Sequence, residues 1–334
     1  MKQLKIWLSY IYLVSLDNQF RTAMKLNIQQ LQQRPEYYFH QFRWQGNFHC
    51  PHCGSKRITT LNRTHHCNAC NKNFTDTSGT IFHSTKLPVW KWLVAIYYFI
   101  ESPRGISSYT LAKYISVSQP TAWRILTLLR SSLHQQLELS DELILDEVYL
   151  GCDWHFKPRY KKVSAVKNLE KKKRTENPNW TTPLNKKTYK SLNYQAASAD
   201  KMIVVGLRDY NKRKLELIHI HTLTQETLLN LIKMRNKGIK HITTDDSKLY
   251  KKIDIPRSIC RHKIHQYKSD DGYSSNPIEN HFSHIRRMWH GIYQWFSEEY
   301  CQHYLDEFAF RYNHRDLCTY DKFKSVFCLI VANM

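Results

Sequence analysis

The sequence predicts an α/β protein: a mixed sheet with helices, preceded by a small ribbon module and a pair of short helices. Three observations predict it. Two Cys-x-x-Cys pairs stand at 50–53 and 67–70. Two short amphipathic segments follow, separated by a break at Ser116–Ser118. From residue 142 the pattern reads strand, strand, strand, helix, strand, helix, strand, helix.

Length and charge set the frame. A chain of 334 residues is long enough for one large domain and one or two small ones. Fifty Lys and Arg against 28 Asp and Glu leave a net charge of +22, which draws the molecule to a polyanion, nucleic acid first. A solvated basic surface without a partner is the weaker reading. Cysteines outside the two pairs are scattered, so a disulfide framework is not expected and a reducing, cytoplasmic compartment is. Residues 5–16, "KIWLSYIYLVSL", resemble a signal-peptide core but are too short to span a bilayer and lack a cleavage pattern. They read as a docked helix or a poorly placed start, and no membrane partner is expected.

A helical lead-in (1–45) precedes the ribbon (46–80). Each Cys-x-x-Cys turn presents two thiolates, and the 13 residues between the pairs suffice for a hairpin that brings Cys50, Cys53, Cys67 and Cys70 around one zinc ion. Gly54 and Asn71 fall where such turns need a left-handed residue. His52, His65 and His66 are alternative ligands, but four thiolates already close a structural site. Metal binding then supplies much of the segment's folding free energy.

The helical region 87–135 begins with "LPVWKWLVAIYYFI", a core helix. Its remainder reads as a helix-turn-helix: Leu111, Ala112 and Ile115 mark one apolar face, Ala122, Ile125, Leu126 and Leu129 the next. Ser118 is placed as the second helix's cap and Pro120 is tolerated in its first turn.

In the strand-bearing region 141–315, strands are expected at 142–150, 201–210, 214–220 and 240–246, with a fifth at 260–267, and long helices over 277–313. Between the first two strands lies an insertion, 152–200, with nine basic residues and only Glu170 opposing them from Lys157 to Arg174. It reads as a solvated loop whose Lys171, Lys172, Lys173 and Arg174 also grip phosphates. Residues 316–334 read as a tail.

"ELILDEVYL" places Asp146 in a strand apolar enough to be buried on both faces, where an ionised carboxylate is costly unless paired or metal-bound. Glu147 must face the other way. The bland reading of Asp146 is a salt bridge to a lysine. Asp245 stands at a strand end, where its bland role, shared with Asp246, is to cap the helix near Ser247. In "SNPIENHFSHIRRMWHG", Asn276 and Pro277 read as an N-cap and first helical residue, with Glu279 at the capping-box position. Glu279 and Arg286 are seven apart, two turns on one face, beside the stripe Ile278, Phe282, Ile285 and Trp289. Three carboxylates on two strands and a late helix suit two Mg²⁺ ions, hard cations that leave room for phosphate oxygens.

Seven stretches, "RWQGNFHCPHCGS", "GTIFHSTKLPVWKWLVAIYY", "GISSYTLAKYISVSQPTAW", "DEVYLG", "TTDDSKLY", "SNPIENHFSHIRR" and "YLDEFAFRYNHR", together resemble the DDE transposases of bacterial insertion sequences, in particular the zinc-ribbon, ISXO-like group. The resemblance implies a ribonuclease H-like catalytic domain, which the strand order also allows. It carries the acidic triad onto Asp146, Asp245 and Glu279 with Mg or Mn as catalytic ions, and places Arg286 where the family usually has lysine; Asn276 joins the catalytic candidates as an alternative ligand to Glu279, as does Glu147. Its implied partners are double-stranded DNA, namely the element's terminal inverted repeats and target DNA, met by a homo-oligomer in the nucleoid. Gln119, Thr121 and Arg124, at the start of the second helix, become the candidates for base edges. A DNA-binding regulator without catalysis and a simple nuclease are the rival readings.

Overall fold

A computed structural model describes residues 26–137, 141–151, 159–181, 201–235, 238–261 and 266–332. The apolar segment 5–16 lies outside them, as does most of the insertion. The chain divides into two compact units, Met1–Gln135 with Met288–Trp295 and Asp306–Met334, and Gln136–Arg287 with Phe296–Leu305.

In the first unit, α1 (Ile28–Gln33) and α2 (Pro35–Trp44) lead into a three-stranded antiparallel ribbon, β1 (Ile58–Leu61), β2 (Thr64–Cys67) and β3 (Asn73–Phe74). Helix α3 (Val89–Glu101) buries Trp92 to Ile96, Phe99 and Ile100, so it is enclosed nearly all round. Helices α4 (Ser108–Ile115) and α5 (Gln119–Ser131) follow, joined by a three-residue turn in which Ser116 is left-handed, φ 51°. Ser118 is the cap residue of α5, as expected, though its hydroxyl bonds Thr121 Oγ1 at 2.9 Å rather than a backbone N–H.

Residues 319–332, expected only as tail, form helix α10 (Thr319–Ala332). Phe323, Val326, Phe327 and Ile330 recur at helical spacing and are fully buried. They complete a core with α2 and α3: Phe42 stacks on Phe323 at 4.9 Å, and Phe39 meets Phe327 edge-on at 5.2 Å. A second buried group is charged. Arg130 of α5 donates to Glu307 Oε2 at 2.6 Å, and Arg311 and Tyr293 also donate to Glu307, which is wholly buried.

The second unit is a five-stranded mixed sheet in the order β6-β5-β4-β7-β8. Its strands are β4 (Glu142–Leu150), β5 (Met202–Asp209), β6 (Leu215–Ile220), β7 (His241–Asp245) and β8 (Arg257–Cys260). β4, β5 and β6 pair antiparallel; β7 and β8 run parallel to β4. The fifth strand is therefore centred earlier than expected, on "RSIC". The insertion is not simply a loop: Arg159–Glu176 form helix α6, whose buried apolar contact is Val166 with Ala165, Leu169 and Trp180 around it.

Helix α7 (Gln225–Arg235) ends before Gly238, φ 104°. It covers one sheet face through Leu228 and Ile232, which join Leu143, Leu145, Val205 and Leu207. On the other face lies α8 (Asn276–His290), with Ile278, Phe282, Ile285 and Trp289 buried as the stripe requires. Gly206 permits this approach, since a Cβ there would stand 2.9 Å from Ile278 Cδ1 and 3.0 Å from Phe282. Helix α9 (Glu298–Asn313) protects the free edge of β6, where Gln302 accepts from His219 N at 2.8 Å and donates to Leu217 O at 2.9 Å.

Candidate functional site

The ribbon brings its four cysteines together as the spacing requires. Cys50 and Cys70 sulfurs lie 3.8 Å apart, Cys53 and Cys67 3.6 Å, and all four lie within 4.8 Å of one another. A tetrahedral zinc with metal–sulfur bonds of about 2.3 Å has sulfur–sulfur edges of about 3.8 Å, so this set fits the ion. Gly54 and Asn71 adopt φ of 72° and 55°, closing the two turns through N–H bonds to Cys50 O and Cys67 O. The backbone N–H of Cys70, helped by that of Ala69 and opposed by desolvation, holds the Cys67 thiol down to about 6. Beside the ribbon, Asp76 accepts from Trp44 Nε1 at 2.6 Å and bonds His40 Nδ1 and His65 Nε2, each at 3.1 Å, tying α2 to β2.

Two of the acidic residues lie on the sheet and the third on the helix that covers it. Asp146 pairs with Gly206 across β4 and β5, on the face that α8 covers, and Glu279 is half-buried in the first turn of α8. Asp245 ends β7 beside β4. Burial pushes the Asp146 carboxyl up to about 8; the charges of Glu147, Asp245 and Glu279 add to this, and the Glu147 N–H at 2.9 Å partly opposes it. Desolvation is the larger cause, and the neighbouring carboxylates add to it. The alternative of a lysine partner for Asp146 is not realised among the described residues. The carboxylate oxygens are nonetheless spread more widely than the cysteine sulfurs and do not close on a single point as those do.

The alternative roles for the other two are displaced by neighbours. Ser247, not Asp245 or Asp246, caps the short helix Lys248–Tyr250 with its hydroxyl, leaving Asp245 Oδ1 to accept from Ser247 N at 3.1 Å. Asn276 is the first helical residue rather than the cap, so Glu279 is fourth in α8 and outside the capping-box position. Glu279 Oε1 instead accepts from Ser275 Oγ at 3.0 Å. Asn276 and Arg286 are both exposed.

Glu147 points to the opposite face, as strand geometry demands, and accepts from the phenol of Tyr250, which is buried among the α7-side residues. Burial raises its pKa and Tyr250 opposes the rise. Tyr250 is not among the sequence candidates; its only signal is an apolar position in "KLY" after the strand.

On α5 the three expected base readers separate. Gln119 Nε2 donates to Ser108 Oγ at 2.8 Å, bracing α4 against α5, and Thr121 bonds Ser118. Arg124 is exposed, with Trp123 beside it 39% exposed and Tyr109 and Tyr114 of α4 more so. Lys171, Lys172 and Arg174 are exposed on α6, while Lys173 lies over the Trp180 ring at 5.8 Å.

A four-cysteine ribbon ahead of an acid-bearing mixed sheet is the arrangement of zinc-ribbon transposases, and comparison with known proteins gives the same class. Residues 36–73 match the transposase zinc-ribbon domain, and residues 138–313, more than half the chain, match the ISXO2-like transposase domain. An uncharacterized protein in transposable element ISH50 of Halobacterium salinarum is 23% identical over 281 residues, covering 81% of this chain and 87% of that protein. The chain belongs to the ISXO2-like transposase family. Among the described residues no helix is long and apolar enough to cross a membrane.

Proposed function

We propose that the protein binds the terminal inverted repeats of an insertion sequence and catalyses strand cleavage and transfer into target DNA by in-line phosphoryl transfer. Its second unit is read as a ribonuclease H-like catalytic domain, its α4–α5 pair as a helix-turn-helix, and its place of action as the nucleoid, as a homo-oligomer. The observation that carries the reading is geometric: Asp146 is half-buried on the sheet face that α8 covers, with Asp245 at the end of β7 and Glu279 in the first turn of α8. Three carboxylates so placed fit two Mg²⁺ or Mn²⁺ ions, which when bound would activate the attacking oxygen and stabilise the leaving one. Asp146 on β4, Asp245 at the end of β7 and Glu279 on α8 would hold the ions. Arg286, two turns beyond Glu279, meets a DNA phosphate, and Asn276 lies at the same helix's start to orient substrate.

Incubating the purified protein with DNA carrying the element's ends and Mg²⁺ should yield cleaved and joined products. Asp146→Asn, Asp245→Asn and Glu279→Gln should each abolish both while leaving folding and DNA binding nearly intact. A double variant should be little worse than a single one, because the three act as one unit. Near-native cleavage by Glu279→Gln alone would remove Glu279 from the site. Cleavage without joining would make the protein a nuclease, and binding without cleavage a regulator.

A further inference from the structure

Three groups of described residues bring potential metal ligands within 4.8 Å of one another: the ribbon cysteines, His40–His65–Asp76, and His219–His221–Glu298. The second is a hydrogen-bonded set in which both imidazole nitrogens facing Asp76 are already bonded to it. The third differs. His219 Nε2 is buried without a hydrogen-bond partner among the described residues, its side chain 9% exposed, with Glu298 Oε1 3.5 Å away. An imidazole nitrogen left so carries a desolvation penalty that a ligand would relieve.

The geometry around it is that of a chelate. His219 is the penultimate residue of β6 and His221 the bend residue just beyond its end, and their rings lie 5.1 Å apart. Glu298 is the first residue of α9 and bonds His221 Nδ1 at 2.9 Å. His221 is 83% exposed and Glu298 57%, so an ion has open access and room for water. Two imidazoles and a carboxylate with an open position are a donor set for Zn²⁺ and its late-divalent neighbours, not for Mg²⁺. Gln302, one turn further along α9, already bonds the backbone on both sides of Ile218, fixing the register that brings Glu298 to the histidines.

We propose that His219, His221 and Glu298 form a second metal site, for Zn²⁺, that pins the start of α9 to the free edge of β6. It is separate from the ribbon zinc and from the acidic site.

The untagged full-length chain, carrying its ribbon zinc, should bind one further equivalent of Zn²⁺ in calorimetric titration. His221→Gln, a change at an exposed position that leaves folding intact, should weaken that equivalent by at least about tenfold, as should Glu298→Gln. Hydrogen exchange at residues 217–221 and 299–303 should slow on adding Zn²⁺ to the wild type and not to His221→Gln. Co²⁺ used in place of the second zinc should add no thiolate-to-metal charge-transfer band. No second equivalent, an equivalent retained by His221→Gln, or charge transfer growing with the second ion would each overturn the assignment.

Discussion

Asp146 and Glu147 are neighbours in sequence with separate lives in the fold. Asp146 faces α8 and Glu279; Glu147 faces Tyr250. The alternation of a strand makes this legible from "LDEV", and burial explains why neither carboxyl keeps an ordinary pKa. For Asp146 the linkage has a definite sign. Its folded pKa of about 8 lies above the unfolded value near 4, so in Mg²⁺-free buffer the folded state holds the proton that the unfolded state has lost. Stability should fall as pH rises between those limits, by up to about 1.4 kcal/mol per pH unit. Denaturant titrations at pH 5 and pH 8 should show this loss in the wild type and a flatter profile in Asp146→Asn, which should be the more stable protein at pH 8. Asp245 and Glu279 are equally legible as candidates. Their capping roles are not, because Ser247 takes the backbone N–H of Leu249 that an acid is expected to cap, and the helix of Glu279 starts one residue early, at Asn276, so that Glu279 meets the Ser275 hydroxyl instead.

Among the elements, α5 separates the two tasks that one motif gives to neighbouring residues. Arg124 is exposed and long enough to reach a base edge, whereas Gln119 is engaged with Ser108. Arg124→Ala should cost about 1–3 kcal/mol of preference for the element's ends over random DNA in competition binding. Gln119→Ala should instead lower the unfolding free energy by about 0.5–1.5 kcal/mol, read by thermal or chemical melting, with little change in sequence preference. The far end of α5 is held by charge. Burial pushes Glu307 up, but Arg130 and Arg311 outweigh it and hold its pKa below the ordinary carboxylate value. That stabilisation is complete above the unfolded pKa and is lost as pH falls through the lower folded one. Glu307→Gln should cost about 3–5 kcal/mol at neutral pH, since it leaves two buried guanidinium groups without their anion, and should flatten the acid limb of the stability profile. Helix α10 marks a limit of reading by element. Phe323, Val326, Phe327 and Ile330 carry the full helical period, yet nothing local to so short a segment tells that its partners lie near the other end of the chain. Helix α6 is the converse: with little apolar surface to bury, its lysine-rich sequence has no period to read.

At the scale of the molecule, under the proposed function the charge of +22 would supply affinity for DNA without sequence preference. Part of it is arrayed on α6, where Lys171 and Lys172 point into solvent. Replacing Lys171, Lys172 and Lys173 with glutamine should weaken binding to every DNA sequence alike and flatten the dependence of log K on log salt by about 0.9 for each phosphate no longer engaged. A defect confined to the element's ends would show that α6 reads sequence. The first unit, meanwhile, is assembled from distant parts of the chain, with α10 set against α2 and α3. Its core therefore stays open on the ribosome until residues near 330 have emerged, although the ribbon and α2 were made long before. A gene copy broken late in its reading frame would yield chains whose ribbon cysteines are all present but whose surrounding helices never close. Such remnants should be cleared by proteolysis rather than persist as folded competitors of the intact protein.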